Sequence, residues 1–469
     1  MIEKLDLPKP FEEDFEKDFG KDFLEKYKQC FNQKAIRGLR LNILKTNEND
    51  FNKLFNKLEK VPFFHGAYYL DTDEKLGNSV LHKLGAYYIQ EPSSMVPVAS
   101  VQDYDFNDKL ILDLCASPGG KSTQIASLMQ STGILFSNEI DSKRAKELFS
   151  NIERLGIKNS ICLNETPKNI ANKFEGVFDY VFVDAPCSGE GMFRKDSVAI
   201  KEWNQNLKYF NKTRQLEIME YANKCLKQNG IMVYSTCTFN TTENESVIND
   251  FINQHNYLVL EVNAEVKRHT LSGKIIDNNE ELKNTRHFFP FISNGEGQFV
   301  AVLKKQEEST YSSIKPIKNN LTQAESKIVK EFLEQNTNVD YNDFTFEKVG
   351  NQINMSRFNV ETNGLRVISK GVILGEIEKN RLIVHNHFAS SFGNSFIRYV
   401  NFELNSLSVK KYLKGEELNV NLLDGVISQN ISNGIGVIKV ENIPLGEIKI
   451  VDNQIKNHYP KGLRLNKLI

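Results

Sequence analysis

Short apolar runs alternate with longer amphipathic stretches between about residues 107 and 305. The longer stretches, such as Ser122–Gln130 and Ser142–Leu155, space their apolar residues as one face of a helix does. This alternation predicts an α/β fold, in which a parallel sheet carries helices on both faces. The predicted strands are Leu110–Leu114, Ile134–Ser137, Ser160–Leu163, Tyr180–Val183, Ile231–Tyr234 and Phe299–Leu303.

The pattern changes on both sides of this region. Upstream, short helical and strand-like pieces mix, and downstream a polar Ser- and Pro-containing segment precedes Gly-punctuated, β-rich sequence. Within the α/β region, the polar segment 267–286 is predicted to be a surface loop. The sequence therefore predicts five parts: a small α+β N-terminal domain (1–106), the α/β domain (107–305), a linker (306–325), a first C-terminal domain (326–405) and a last β-rich unit (406–469).

Two local patterns add detail to this division. Four phenylalanines spaced four apart predict one helix with an apolar stripe that docks on the next domain: Phe11, Phe15, Phe19 and Phe23. In the β-rich part, Leu374–Ile377 (LGEI) recurs as Leu445–Ile448, and in each case Asn-His-aromatic follows after eight residues. The shared offset of 71 residues indicates two related β-units, with chance similarity as the alternative.

Composition and charge narrow the class of protein. The 469 residues include 59 Lys and Arg against 60 Asp and Glu, a net charge of −1, which excludes a uniformly basic nucleic-acid-coating protein but allows a local basic face. No apolar run reaches the ~18 residues of a membrane span, and the charged N-terminus has no signal-peptide core. Six cysteines without a CxxC pair indicate neither a disulfide scaffold nor a metal site. We expect a cytoplasmic chain with reduced thiols.

Two features at the start of the α/β region suit a cofactor. In residues 110–129 an apolar strand runs into Pro118-Gly119-Gly120 and then an amphipathic helix, whose free N–H groups suit an anionic ligand. A plain strand–helix turn is the alternative. Glu139 ends the next strand, where an acidic residue commonly binds ribose hydroxyls in nucleotide folds. Asp141 competes for this role, and either residue can instead cap the following helix.

Two later strands end in loops that carry a thiol. The strand before Asp184 leads into Pro186-Cys187-Ser188, and the strand before Ser235 leads into Thr236-Cys237-Thr238. Ligands of open α/β sheets bind at such carboxyl ends. Cys162 and Cys225 lie in apolar strand and helix patterns and are expected to be core residues.

Two thiols near a cofactor loop suggest one reaction. A thiolate can add to C6 of a pyrimidine, which turns C5 into a carbon nucleophile that attacks the methyl group of S-adenosylmethionine. Loss of the C5 proton and elimination of the thiol then restore the ring. Asp184 is placed to stabilise charge at the N3/N4 edge of the base. From the residues alone, Cys187 and Cys237 cannot be ranked as the attacking thiol.

Several motifs in order resemble the Sun-type RNA cytosine-5 methyltransferases. These are RGLRLN (37–42), YYIQEPSSM (87–95), DLCASPGGK (113–121), DAPCSGEG (184–191), STCTFNTTENE (235–245) and RHFFPFISNGEGQFVAVL (286–303). The C-terminal half is similar to the bacterial 16S ribosomal RNA methyltransferase F type, whose tail ends in a PUA-like RNA-binding unit. The resemblance implies a Rossmann-like class I methyltransferase core and S-adenosylmethionine as cofactor.

The resemblance also implies roles for single residues. Cys237, in the TC motif, would attack the base, and Cys187, in the PC motif, would assist release of the product. Lys121 and Asp184 would lie near the methionine part of the cofactor and the target base. Glu139 would hold the cofactor's ribose, Asn164 would lie near its adenine, and the loop around it would be Cys115, Ala116, Ser117, Pro118, Gly119, Gly120 and Lys121. Many relatives have Ala at position 117 and Asp at the Asn164–Glu165 position.

The same resemblance implies an RNA partner, either small-subunit ribosomal RNA or the 30S subunit, and an N-terminal domain (1–106) that contacts this RNA. We expect the protein to be a monomer. RNA binding needs phosphate contacts despite the near-zero net charge, and the candidates are Arg37, Arg40, Arg194, Lys461 and Arg464. The target base must leave its stack to meet a thiol, so flipped or single-stranded RNA is expected. Two alternatives stay open: the same chemistry on transfer RNA, and a ribosome-assembly factor that binds RNA without catalysis.

Overall fold

The computed structural model describes residues 7–54, 58–70, 76–317 and 319–465. Within these ranges the strands form four sheets, of three, ten, four and six strands. The predicted fold class is confirmed: a Rossmann-like α/β core is flanked by a small α+β unit and by β-rich C-terminal units. Among the described residues, no helix combines the length and the apolar character that crossing a bilayer requires.

The N-terminal part begins with two helices, α1 (Lys9–Phe19) and α2 (Lys21–Cys30). The prediction of one continuous helix is wrong, because Gly20 separates them with a φ of 89°, in the left-handed region where glycine is favoured. Both halves of the phenylalanine stripe still dock on the next unit. Phe11 and Phe15 are buried in an aromatic cluster with Phe193, Trp203, Phe239 and Phe289.

A three-stranded antiparallel sheet completes this part. Strand β1 (Arg37–Leu41) lies between β2 (Ala67–Leu70) and β3 (Tyr87–Ile89). The remaining helices are short and are α3 (Glu48–Leu54), α4 (Val80–Lys83) and α5 (Val96–Ala99).

The α/β core follows the predicted alternation. Its strands are β4 (Leu110–Asp113), β5 (Ile134–Asn138), β6 (Ser160–Leu163), β7 (Phe178–Asp184), β8 (Leu226–Thr236), β9 (Tyr257–Leu260), β10 (Leu271–Ser272), β11 (Arg286–Phe288) and β12 (Gln298–Lys305). Its helices are α6 (Gly120–Met129), α7 (Ser142–Leu155), α8 (Pro167–Lys173), α9 (Ser197–Glu202), α10 (Leu207–Cys225), α11 (Glu245–Gln254) and α12 (Ala264–Arg268).

The central sheet has the order β10-β11-β12-β8-β7-β4-β5-β6, and β9 also pairs with β12. The strands from β8 to β6 are parallel, so their carboxyl ends share one edge. Strand β12 runs antiparallel to β8. The segment 267–286 is not the continuous loop that we expected, because it contains β10 and the 3₁₀ helix Glu280–Asn284, elements too short to give a periodic signal.

The C-terminal elements are α13 (Gln323–Asn336), β13 (Thr345–Val349), β14 (Gln352–Ser356), β15 (Val367–Lys370), β16 (Val372–Glu378), β17 (Arg381–Val384), α14 (Asn386–Phe392), β18 (Tyr399–Phe402), α15 (Leu407–Lys414), β19 (Leu418–Asn419), β20 (Val426–Asn430), β21 (Gly434–Val440), β22 (Ile443–Val451) and β23 (Gln454–Asn457). The four-stranded sheet has the order β13-β14-β16-β17, and the six-stranded sheet has the order β19-β23-β22-β21-β18-β20. The two LGEI segments lie on β16 and β22, each the first strand of a hairpin.

Two strands lie elsewhere than their position in the chain suggests. Strand β18 precedes the predicted boundary at residue 405 but pairs in parallel with β21 of the last sheet, a long-range pairing without a local sequence signal. Strand β15 leaves the C-terminal part and pairs antiparallel with β6, at the edge of the central sheet.

One hydrophobic core joins the first and last sheets of the chain. Leu39 and Tyr68 of the N-terminal sheet are buried in the same cluster as Val400, Tyr412 and Ile448 of the last unit. Burial of these side chains is worth about 1.5–3 kcal/mol each. The six-stranded unit is therefore packed on the N-terminal unit rather than attached by a linker alone.

Candidate active site

A cavity of about 500 Å³ opens at the carboxyl edge of the central sheet. Leu114 follows β4, Glu139 follows β5, Asp184 ends β7 and Cys237 follows β8, and all four residues line the cavity. Parallel strands bring their carboxyl ends together, so residues far apart in the chain meet here. Helix α10 closes the opposite wall with Arg214, Glu217, Ile218 and Tyr221.

The two motif thiols face each other in this cavity. Sγ of Cys187 lies 3.2 Å from Sγ of Cys237, and the backbone N–H of Cys237 donates to Sγ of Cys187 at 3.3 Å. The hydrogen bond with Cys237, together with burial, raises the pKa of Cys187 well above its ordinary value. Cys187 is thus held as a neutral thiol next to Cys237, in a place that a ligand in the cavity can reach.

A partly buried ion pair lies beside the thiols. Nζ of Lys121, at the start of α6, is 2.7 Å from Oδ2 of Asp184, and the hydroxyl of Ser235 donates to Oδ1 of Asp184 at 2.7 Å. Burial alone lowers the pKa of Lys121, but attraction to Asp184 outweighs it and the net pKa is raised. The site therefore offers a charged donor and a charged acceptor side by side.

Two buried carboxylates tie the thiol-bearing loops together. Glu243, after β8, accepts hydrogen bonds from the backbone N–H of Ser188 at 3.0 Å and from the Ser188 hydroxyl. In the reverse direction Glu190, after β7, accepts from the backbone N–H groups of Phe239 and Asn240, both at 3.0 Å. Neither residue was predicted from the sequence as part of the site. The available signal was that both are acidic residues within motifs that are otherwise typical of a buried loop.

We expect the substitution Glu243→Gln to reduce the dependence of stability on pH. Burial raises the pKa of Glu243 to about 7, from 4.5 in the unfolded chain. The folded state thus binds the proton of the Glu243 carboxyl more tightly than the unfolded chain does. This contribution to the free energy of unfolding is fully present below pH 4.5 and is lost as the pH rises through 7. The pKa difference corresponds to about 3 kcal/mol. Calorimetric melting at pH 5 and pH 8 should show a smaller drop in melting temperature for Glu243→Gln than for the wild type.

Asp113 and Glu296, whose pKa values burial also raises to about 7, keep part of the pH dependence in this variant. The exposed substitution Glu202→Gln serves as the control and should follow the wild type. Equal drops for Glu243→Gln and the wild type would contradict the expectation.

The glycine loop surrounds the inner side of the cavity. Cys115 and Ser117 line the main cavity, and burial raises the pKa of Cys115 above its ordinary range. Within the loop, Gly119 has a φ of 111°, a conformation that other residues rarely adopt. Ala116, Pro118, Gly120 and Lys121 line an adjoining cavity of about 230 Å³ that Asp184 shares.

Glu139 and Asp141 have separate positions. Asp141 is the N-cap of α7 and accepts from the backbone N–H groups of Lys143 and Arg144. Glu139 lines the cavity, with Oε2 3.4 Å from Arg144, while its Oε1 accepts the backbone N–H of Asp141 at 2.9 Å. Of the two acids, Glu139 is thus the one at the cavity.

Asn164 is buried behind the cavity wall rather than facing the cavity. Its side-chain amide donates to the backbone carbonyls of Glu139 at 2.8 Å and Ile140 at 2.9 Å. Downstream of it, Thr166 and Pro167 line the cavity. The position of Asn164 therefore does not allow the direct contact with a cofactor that the resemblance implied.

The five candidate RNA contacts divide into two groups. Arg40 is 3% exposed, and its guanidinium donates to Gln90, to the carbonyl of Gly120 and to Thr123. The predicted phosphate contact is therefore wrong, because Arg40 is a buried residue that supports the start of α6. Arg194 is corrected likewise, because its guanidinium is buried 3.4 Å from Glu296. Arg37 and Arg464 are half-buried and Lys461 is exposed.

Three thiols lie away from this cavity. Cys162 and Cys225 are fully buried in the core, as expected, and Cys30 is buried in α2. Burial raises the pKa of Cys225 to about 12. These residues serve as internal controls for thiol substitutions.

Comparisons with known proteins agree with this geometry. Family models match for the 16S rRNA methyltransferase RsmB/F (103–304), the N-terminal domain of 16S rRNA methyltransferase RsmF (7–92) and the methyltransferase RsmF PUA domain (399–465). The chain is 30% identical over 455 residues to the ribosomal RNA small subunit methyltransferase F of Vibrio parahaemolyticus, with 93% of each chain covered. The protein of the same name from Shewanella oneidensis is 28% identical over 450 residues, with 92% of each covered.

Solved structures show the same core. A methyltransferase homolog protein from Pyrococcus horikoshii is 26% identical, with a TM-score of 0.56 over 64% of this chain and 95% of that one. The structure of NSun6 from Pyrococcus horikoshii with SFG, 19% identical, has a TM-score of 0.56 over 64% of this chain and 99% of that one, and shows the fold alone. Because the match to the Vibrio parahaemolyticus protein covers 93% of both chains at 30% identity, the chain belongs to the 16S rRNA methyltransferase RsmB/F family.

Proposed function

We propose that this methyltransferase transfers a methyl group from S-adenosylmethionine to C5 of cytosine in small-subunit ribosomal RNA, through a transient bond between Cys237 and the base. The observation that carries the proposal is the pair of thiols 3.2 Å apart, beside the ion pair of Lys121 and Asp184, in one cavity. Methylation of an oxygen or an exocyclic nitrogen needs no thiol, whereas C5 of a pyrimidine needs covalent activation. The names of the curated relatives support the substrate class.

The proposed chemistry balances without an oxidant or a reductant. The thiolate of Cys237 bonds to C6, and the electron pair of the C5–C6 double bond moves to C5. C5 takes the electrophilic methyl group that S-adenosylmethionine supplies, and the electron pair of the broken S–CH3 bond stays on the sulfur of the departing S-adenosylhomocysteine. A base removes the C5 proton, the double bond forms again, and the Cys237 sulfur leaves as a thiolate. Cys187, 3.2 Å away, donates its S–H to that sulfur and assists its release.

The ion pair fits the edge of a cytosine. This edge presents an N4 amino donor and the acceptors N3 and O2. In the proposed complex the carboxylate of Asp184 accepts a hydrogen bond from the N4 side, and the ammonium of Lys121 donates to an acceptor of the ring. Charge-assisted hydrogen bonds of this kind are about twice as strong as neutral ones. The Lys121 ammonium stabilises the negative charge that develops on the ring as the thiolate adds, and the Asp184 carboxylate orients the base through N4.

The donor set of the cavity suits the proposed cofactor. Glu139 supplies a buried acceptor for ribose hydroxyls, and Ile140 and Pro167 supply apolar surface for a purine. The loop Cys115–Lys121 would surround the methionine end. Asn164 would act from behind, through the backbone of Glu139 and Ile140.

Bisulfite sequencing of small-subunit ribosomal RNA tests the proposal. A strain that lacks the gene should lose one or more 5-methylcytosines, which the wild-type gene restores and the Cys237→Ala gene does not. The same libraries should include transfer RNA. Unchanged ribosomal RNA, or a loss confined to transfer RNA, would overturn the proposed substrate.

A further inference from the structure

Strand β15 connects the C-terminal part of the chain directly to the cofactor side of the cavity. It pairs antiparallel with β6, with Val367 opposite Leu163 and Lys370 opposite Ile161. One residue beyond the pair, the backbone N–H of Asn164 donates to the carbonyl of Arg366 at 2.9 Å. The C-terminal part thus completes the edge of the central sheet where β6 leads into the cavity wall.

Glu165 is the centre of this junction. Its side chain is 4% exposed, and its Oε1 accepts the backbone N–H of Arg366 at 3.1 Å and Nε of Arg366 at 3.3 Å. Its Oε2 accepts the backbone N–H of Thr166 at 3.0 Å and the side-chain amide of Asn169 at 2.7 Å. The carboxylate therefore bonds β15 and the first turn of α8 at the same time.

The residues around Glu165 form the wall of the cavity. Thr166 and Pro167 line it directly, and Asn164 holds the carbonyls of Glu139 and Ile140, whose side chains also line it. Substitution at this junction thus shifts atoms that border the space for the adenosine part of the cofactor. None of these contacts involves Cys187 or Cys237.

We propose that Arg366, on the C-terminal part of the chain, is a positioning residue for the methyl-donor pocket, acting through Glu165 to hold the wall formed by residues 164–167. The inference rests on the proposed function only in taking this cavity as the cofactor site. Because coupling is reciprocal, cofactor binding in turn strengthens the docking of β15. The affinity for cofactor thus depends on a strand contributed by the C-terminal part.

Isothermal titration of the full-length protein with S-adenosylhomocysteine tests this proposal. We expect Arg366→Ala to raise the Kd about fivefold, the effect of losing one charge-assisted hydrogen bond, and Glu165→Ala to raise it about tenfold or more. In the double variant the Kd should stay close to that of Glu165→Ala, because Arg366 acts through Glu165. RNA affinity, measured by filter binding, should stay unchanged in Arg366→Ala.

The matched control is Lys173→Ala. Lys173, at the end of α8, is 3.4 Å from Glu361, so this ion pair also joins the α/β core to the C-terminal part, away from the cavity. The control should leave the Kd within about twofold of the wild type, because neither Lys173 nor Glu361 lines the cavity. An unchanged Kd in Arg366→Ala, or an equal rise in Lys173→Ala, would overturn the proposal.

The titration separates this inference from the proposed function. If the wild type binds S-adenosylhomocysteine but methylates no cytosine, the proposed reaction fails and the positioning role is still decided by the variants. If the wild type does not bind S-adenosylhomocysteine, both fail. Melting curves of each variant check that the fold is retained.

Discussion

Replacing Cys237 with alanine is expected to lower the rate of methyl transfer by about 10⁴-fold or more, the size of effect seen when a covalent nucleophile is removed. Without the thiol the ring is not activated, and C5 is too weak a nucleophile to take a methyl group. Transfer of radiolabelled methyl from S-adenosylmethionine to ribosomal RNA, under single-turnover conditions, measures the effect. Cofactor affinity should remain near the wild-type value, because the proposed mechanism places Cys237 against the base and not against the cofactor.

The control for this variant is Cys225→Ala, which removes a fully buried thiol at the end of α10. It should keep wild-type activity with only a small loss of stability. If Cys237→Ala keeps methylation within tenfold of the wild type, the attacking residue is not Cys237 and the proposed mechanism is wrong.

Replacing Cys187 with alanine is expected to produce a different result, a covalent complex of protein and RNA that survives denaturing electrophoresis. The thiol of Cys187 is 3.2 Å from Cys237, and its raised pKa keeps it protonated, so in the proposed mechanism it donates a proton to the departing sulfur. Without it, the bond between Cys237 and C6 breaks more slowly than it forms. A band shifted by the mass of the RNA should accumulate with time.

The double substitution Cys187→Ala with Cys237→Ala is the matched control, and it should lose the shifted band completely. A band that persists in the double variant would place the covalent bond elsewhere. A single Cys187→Ala variant that turns over without any adduct would remove Cys187 from product release.

The sequence predicted the α/β core and the residues at its carboxyl edge because both depend on local patterns. Apolar runs mark the strands, and Asp184, Cys187 and Cys237 follow them directly, so the topology brings them together. The same reasoning could not show that Arg40 and Arg194 are buried, because a charged residue in a polar-looking motif gives no sign of which side it faces. Residues chosen as RNA contacts from charge alone were therefore partly wrong.

Long-range pairing is the other part that local patterns could not predict. Strand β15 pairs with β6 although about 200 residues separate them in the chain. Likewise, the hydrogen bonds of Glu190 and Glu243 join two loops that are about 50 residues apart. In both cases the partner is determined by the tertiary fold and not by spacing. The carboxylates lay within the recognised motifs, but their role became clear only from their hydrogen bonds.

The common core of the first and last sheets has a consequence for synthesis on the ribosome. The cluster that contains Leu39 and Tyr68 is completed only after residues near Val400 and Tyr412 have left the exit tunnel. At about 5–20 residues per second, this interval is on the order of tens of seconds. During that time the nascent N-terminal unit exposes apolar side chains, and chaperones that act on emerging chains bind such surfaces.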